Sequence, residues 1–356
     1  MNKLVKLCLI LTLVVVVLGA YTRLTDAGLG CPDWPGCYGL LTVPQGDEVA
    51  SAQQRFPDRV IEADKAWNEM VHRYVAGTLG LLVFGLMVWA IKRRQYVKHC
   101  LALSAVIIFQ AALGMWTVTL NLMPVVVMGH LAGGFSVFCL LLLLALRQSE
   151  RRVELSTKVL FNKFALHSRF VFRLGVIATC VLVLQILLGG WTSANYAALV
   201  CTSLPVCQGD WLSLYEPKAA FSLISPMADT YEYGVLDHAQ RVTIHVTHRI
   251  GALVTTLVVL LFSLALWFIS QSPLAKKVAL AITGLLTLQV SLGVSNIVFM
   301  LPLSVAVLHN LVALLLLGCL VISLTLIYQH LKLELSQQQN SRIFCKPIDK
   351  QTALVN

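Results

Sequence analysis

Nine histidines occur in the 356 residues, and four of them stand at matched places. His72-Arg73 matches His248-Arg249 at an offset of 176, and His130 matches His309 at an offset of 179. Imidazole is the commonest side-chain metal ligand, because one ring nitrogen keeps a lone pair near neutral pH. A lone histidine is as readily a helix cap or an interhelical hydrogen bond. Two pairs at duplicated positions read instead as two copies of one ligand set. The copies differ three residues upstream: Glu69 precedes His72 where His245 precedes His248. A carboxylate beside one centre can accept a proton. The difference therefore suggests a reaction site in one copy and an electron-transfer or structural site in the other.

The elements that must position these residues follow from hydropathy. The chain is 58% hydrophobic and 12% charged, with a mean hydropathy of +0.78; a soluble domain is about 25% charged. Eight stretches are apolar over the roughly 20 residues that a membrane span needs: 4–20, 72–91, 100–120, 125–146, 171–190, 243–269, 274–300 and 303–328. Backbone groups must pair internally in lipid, so these are expected to be helices. The net charge of +10 is not a nucleic-acid footprint, since the basic residues lie between the apolar stretches. Nineteen Lys/Arg and four Asp/Glu fall in the N-terminus, alternate loops and the C-terminal tail, against six and thirteen in 21–71 and 191–242. The positive-inside rule puts both termini in the cytoplasm and the two long loops outside, for a multi-pass protein of a bacterial inner membrane.

The two halves repeat. Residues 18–37 and 188–207 match at an offset of 170 through Leu18/Leu188, Gly19/Gly189, Thr22/Thr192, Cys31/Cys201, Pro35/Pro205 and Cys37/Cys207. Four helices per copy make the repeat parallel, so the halves are expected to be related by a pseudo-two-fold axis along the membrane normal. The expected fold is all-α: two tandem four-helix bundles at 1–146 and 171–330, with a cytoplasmic linker at 147–170 and a polar tail at 331–356. The first apolar stretch resembles a signal peptide, but its internal counterpart near 171–190 argues that it is retained.

By this topology His72, His130, His248 and His309 lie at one depth near the outward ends of their spans. Two imidazoles on two helices of one bundle are the arrangement of a bis-histidine haem iron. Ionisable groups inside a membrane are costly and commonly functional. Arg73 and Arg249 then suit haem propionates, because guanidinium matches carboxylate; interfacial anchoring is the alternative. For Glu69 the alternative is a charge favoured by a helix N-terminus. His99, His167 and His330 read as solvated or snorkelling at cytoplasmic ends, and His238 as a solvated loop residue. The pairs Cys31/Cys37 and Cys201/Cys207 face the oxidising side and are disulfide candidates, either structural or redox-active. A Gln-x-x-Leu-Gly pattern at Gln110, Gln185 and Gln289 reads as close helix packing through the glycine.

Taken together, GAYTRLTDAGLGCPDWPGC at 19–37, EMVHR at 69–73, MGH at 128–130, THR at 247–249 and LHN at 308–310 resemble the haem A synthase (cytochrome oxidase assembly) family. The resemblance runs to about Tyr328. It implies an oxidoreductase that converts the C8 methyl of haem O to the formyl of haem A, for use by terminal oxidases. It implies haem O as substrate at His72 and His130, Glu69 as the catalytic glutamate, and haem b between His248 and His309. Implied partners are a haem O synthase, terminal-oxidase assembly factors and membrane lipid; self-association stays open. The alternative is a di-haem b electron-transfer protein linked to quinol, which needs the same four histidines and no distinctive Glu69.

Overall fold

The computed structural model describes residues 1–149, 165–205 and 207–344, and all the regular structure among them is helical. Among the described residues ten helices follow one another: α1 Asn2–Leu24, α2 Glu48–Arg55, α3 Ala63–Arg93, α4 Val97–Thr119, α5 Pro124–Gln148, α6 Ala165–Ala194, α7 Pro217–Ala220, α8 His238–Ile269, α9 Pro273–Val298 and α10 Leu303–Phe344. Eight are long and apolar enough to cross a membrane: all but α2 and α7. The linker predicted at 147–170 lies mostly outside the described residues, as does the tail beyond Phe344.

In the first half α1 packs on α3 and α5, α3 on α4, and α4 on α5, closing a ring of four. The second half repeats the ring, with α6 on α8 and α10, α8 on α9, and α9 on α10. The halves meet where α5 touches α6, α1 touches α10, and α5 touches α10. Exchanging the halves turns the first of these contacts into the second and leaves the third unchanged.

The first half packs Val5, Cys8, Leu79, Val83, Leu86, Leu103, Val137 and Leu141 at its centre. The larger cluster of the second half draws in Phe135 and Phe138 from α5. Helix α10 is the most enclosed span, with 56% of its most apolar stretch buried. On the outer face Leu81, Phe84, Ile108, Leu253 and Phe268 are exposed, as residues dissolved in lipid should be.

Most of the spanning helices begin earlier than hydropathy places them, among them α3 and α8 by more than a turn. Helix α3 starts at Ala63 and α8 at His238, because the polar turns before the apolar run are themselves good helix formers. Asp237 caps α8 by accepting the Gln240 amide hydrogen at 2.8 Å. Glu69 thus lies well past the first turn of α3, beyond the reach of the helix-end dipole. At the other end α10 continues through Leu333–Phe344, where no Gly or Pro interrupts it.

Candidate functional site

His72 on α3 faces His130 on α5, with ring centroids 6.4 Å apart and planes at 78°. An imidazole nitrogen sits about 2 Å from a metal it ligates and roughly 1 Å from its own ring centre, so rings on opposite sides of one metal have centroids about 6 Å apart. The separation therefore fits a shared axial position. The Nδ1 atoms of His72 and His130 are buried without a protein partner, as is Nδ1 of His309. In the second half His248 on α8 and His309 on α10 hold the matched positions. This donor set fits a haem in each half: His72 and His130 for one, His248 and His309 for the other.

Each ring rests on a glycine of an adjacent helix. A Cβ on Gly19 would lie 3.0 Å from Cε1 of His72, one on Gly114 3.4 Å from that of His130, one on Gly189 3.2 Å from that of His248, and one on Gly293 3.2 Å from that of His309. The Leu-Gly pattern read from sequence as helix packing thus does something narrower. It opens the slot that admits the imidazole.

Three residues before His72, Glu69 is buried, at 5% exposure. Its Oε2 accepts the Cys31 amide hydrogen at 2.8 Å, and its Oε1 accepts from Nη2 of Arg73 at 2.5 Å. Arg73 also donates to the carbonyl oxygens of Asp33 at 3.0 Å, Pro35 at 3.3 Å, and Gly36. These oxygens lie inside the ring closed by the Cys31–Cys37 disulfide. In the second half His245 donates from Nδ1 to Ala197 O at 2.8 Å, and Arg249 turns to Cys201 O at 2.6 Å and Ser203 O at 2.7 Å. Cys201 and Cys207 pair as Cys31 and Cys37 do. At equivalent loop positions the first half thus presents an amide to an acid, and the second a carbonyl to an arginine. Both guanidinium groups hold the long loops that precede their helices.

The halves are fastened at the same end. Arg23 donates to Tyr196 Oη at 2.7 Å and to Ser193 O at 2.7 Å, and lies 4.1 Å over the Tyr196 ring. Tyr196 donates to Asp26 Oδ1 at 3.1 Å. The second loop also crosses to the first half: Tyr231 N donates to Asn121 O at 2.9 Å, and Asn121 Nδ2 to Asp229 O at 2.9 Å. Motif and hydropathy patterns did not reveal these contacts. A fixed offset of 170 between Arg23 and Ser193, and between Asp26 and Tyr196, was the available signal.

Two of the remaining histidines differ from expectation. His99 is not solvated: it is buried between α4 and α5, bonded to Leu140 O at 2.8 Å and Arg147 at 3.1 Å. His330 is buried against Glu334, 3.1 Å away. Each satisfies a nearby acceptor or charge on the same face, which outweighs exposure. His238 is exposed at the start of α8. The His167 side chain and Cys345 lie outside the described residues.

Comparison with known proteins agrees with this architecture. The chain is 50% identical to the haem A synthase of Shewanella oneidensis over 86% of its own length and 90% of that protein. It is 28% identical to the haem A synthase of Beijerinckia indica over 90% of each chain, and 25% identical to that of Neorickettsia sennetsu over 87% and 94%. The family profile described as cytochrome oxidase assembly protein matches residues 2–321, and the chain belongs to that family.

Proposed function

We propose that the chain is a haem A synthase of the inner membrane, oxidising the C8 methyl of haem O to a formyl group. The observation that carries this reading is the pair of Gly-backed histidine sites, of which only the first has a buried acid, Glu69, one helical turn from a ligand. His72 and His130 would hold the substrate haem. His248 and His309 would hold haem b, whose chemistry when bound is electron transfer.

The chain's own residues then divide the work. His72 and His130 orient the substrate from two faces. Glu69 would accept a proton released as an external electron acceptor oxidises the methyl carbon, and Arg73 pairs with its carboxylate before that transfer. The disulfide loop covers that acid from the outer side. Arg73 and Arg249, at the loop-bearing end, would supply a cationic boundary for haem carboxylates. Both termini would face the cytoplasm, and the symmetric exchange of contacts between halves supports a pseudo-two-fold relation. The electron-transfer alternative is not favoured, because it gives the Glu69/His245 difference no use.

The test is acid–acetone extraction of haems from the purified protein, made with and without a haem O synthase, followed by mass detection. Haem A or its hydroxylated precursor should appear only with the synthase. Protohaem alone in both preparations would overturn the reading.

A further inference from the structure

The long loop between α6 and α8 runs without a charge from Ala219 to Ala228, AAFSLISPMA, between Lys218 and Asp229. Its middle is bare. Leu223 is 63% exposed, Ile224 87%, and Met227 fully. Ser222 Oγ donates to Ile224 O at 2.9 Å, which bends the chain at this tip. Three large aliphatic side chains gathered on one short exposed segment mark a contact surface rather than a water-facing loop.

Contacts on both sides of the tip fix its level against the spans. On one side Trp191 Nε1 donates to Ala220 O at 2.9 Å. Ala220 belongs to an apolar cluster with Trp191 and Ile244, against which Phe221, Val125 and Met128 pack. Val125 and Met128 lie in the first turns of α5, where its apolar stretch begins. On the other side Tyr231 Oη donates to Pro226 O at 3.0 Å, and Tyr231 N donates to Asn121 O, in the turn between α4 and α5, at 2.9 Å. The tip is thus held at the level of that turn. Exposed residues there are apolar. Leu120 is exposed beside Asn121, and the matched turn of the second half exposes Phe299 and Met300.

We propose that Leu223, Ile224 and Met227 insert into the lipid leaflet at the loop-bearing end, so that this loop is seated in the membrane rather than standing free of it. The inference rests on reading the eight long helices as membrane spans. Uncharged aliphatic side chains enter the boundary between headgroups and acyl chains favourably. A protein partner fits less well, because protein interfaces centre on aromatic residues and arginine, and residues 222–228 contain neither. Lipid then steadies the same loop whose next residues, Asp229 and Tyr231, cross to Asn121 in the first half.

The experiment uses the full chain in nanodiscs of phosphatidylcholine and phosphatidylglycerol, with the cysteines outside the two disulfides replaced by alanine. An environment-sensitive fluorophore is attached at Ile224→Cys or Met227→Cys. Phe268→Cys, on the exposed face of α8, is the lipid reference, and Ala50→Cys, exposed on the polar α2, is the water reference. All four positions are exposed, so the label should leave the melting temperature unchanged. Emission from 224 and 227 should shift to the blue toward that from 268, and lose intensity when nitroxide-bearing lipids replace part of the bilayer. Emission matching residue 50 would put the tip in water and overturn the proposal. A blue shift that nitroxide lipids do not quench would put a protein surface over the tip, and overturns it equally. A probe at 268 that those lipids fail to quench would instead sink the membrane-span reading on which it rests.

Discussion

Glu69 accepts the amide hydrogen of Cys31, Oε2 to N 2.8 Å, so the one acid beside a histidine pair and the first-loop disulfide form a single unit. Arg73 completes it, bonded to Glu69 and to three carbonyl oxygens of the same loop. What disturbs the loop should therefore disturb the acid.

Replacing Cys31 and Cys37 together by serine opens that ring. A disulfide closing so short a loop stabilises by about 2–3 kcal/mol, so a lower unfolding temperature is expected. Formyl production should fall further than in the Cys201→Ser, Cys207→Ser protein, whose loop holds no acid. Equal losses in the two double variants would show that the first loop acts only as a staple.

Glu69→Gln preserves an oxygen for the Cys31 amide but removes the proton acceptor. Haem should still bind, with its bis-imidazole spectrum intact, while formyl formation drops by roughly 10²–10⁴-fold, the usual weight of a positioned acid or base. Intact turnover would remove Glu69 from the chemistry.

The four glycine slots grade a third prediction. Alanine at Gly19 puts its Cβ 3.0 Å from the His72 ring, tighter than at Gly189 or Gly293, both 3.2 Å, or at Gly114, 3.4 Å. Gly19→Ala should cost the first half its low-spin haem signal and spare the second. Gly114→Ala should be the mildest of the four. A reversed order by absorbance or electron paramagnetic resonance would contradict the slot geometry.

Arg23 and Tyr196 join the halves by a hydrogen bond and a stacked cation. A double-mutant cycle with Arg23→Ala and Tyr196→Phe should return a coupling of about 1 kcal/mol. Burial holds the Tyr196 phenol above its ordinary range. Its contribution is therefore complete below about pH 10, the free-phenol value, and is lost as pH climbs through the raised one. Thermal melts across the alkaline range should show the parent converging on Tyr196→Phe only there. Convergence near neutral pH would argue against the buried phenol.

Much of this was legible in the sequence, because lipid leaves few choices. Eight apolar runs become eight helices, and His72, His130, His248 and His309 arrive on four of them at matched places. The slots beneath the rings were visible only as Leu-Gly repeats, since a glycine's purpose depends on which side chain crosses it. The targets of Arg73 and Arg249 were not legible. Apart from Glu69, one helical turn before Arg73, they are loop carbonyls, and loop paths are set by contacts distant in sequence. His99 escaped for the same reason: its partners Leu140 and Arg147 belong to the next helix.

Arg23 meets Ser193, and Asp26 meets Tyr196; each residue touches the occupant of its own place in the other copy. In a homodimer of one four-helix half, the same geometry would set arginine against arginine and aspartate against aspartate, like charges a few ångströms apart. A single fused chain escapes that constraint, because its two copies can differ. The seam is where covalent linkage has allowed each side to become the complement of the other.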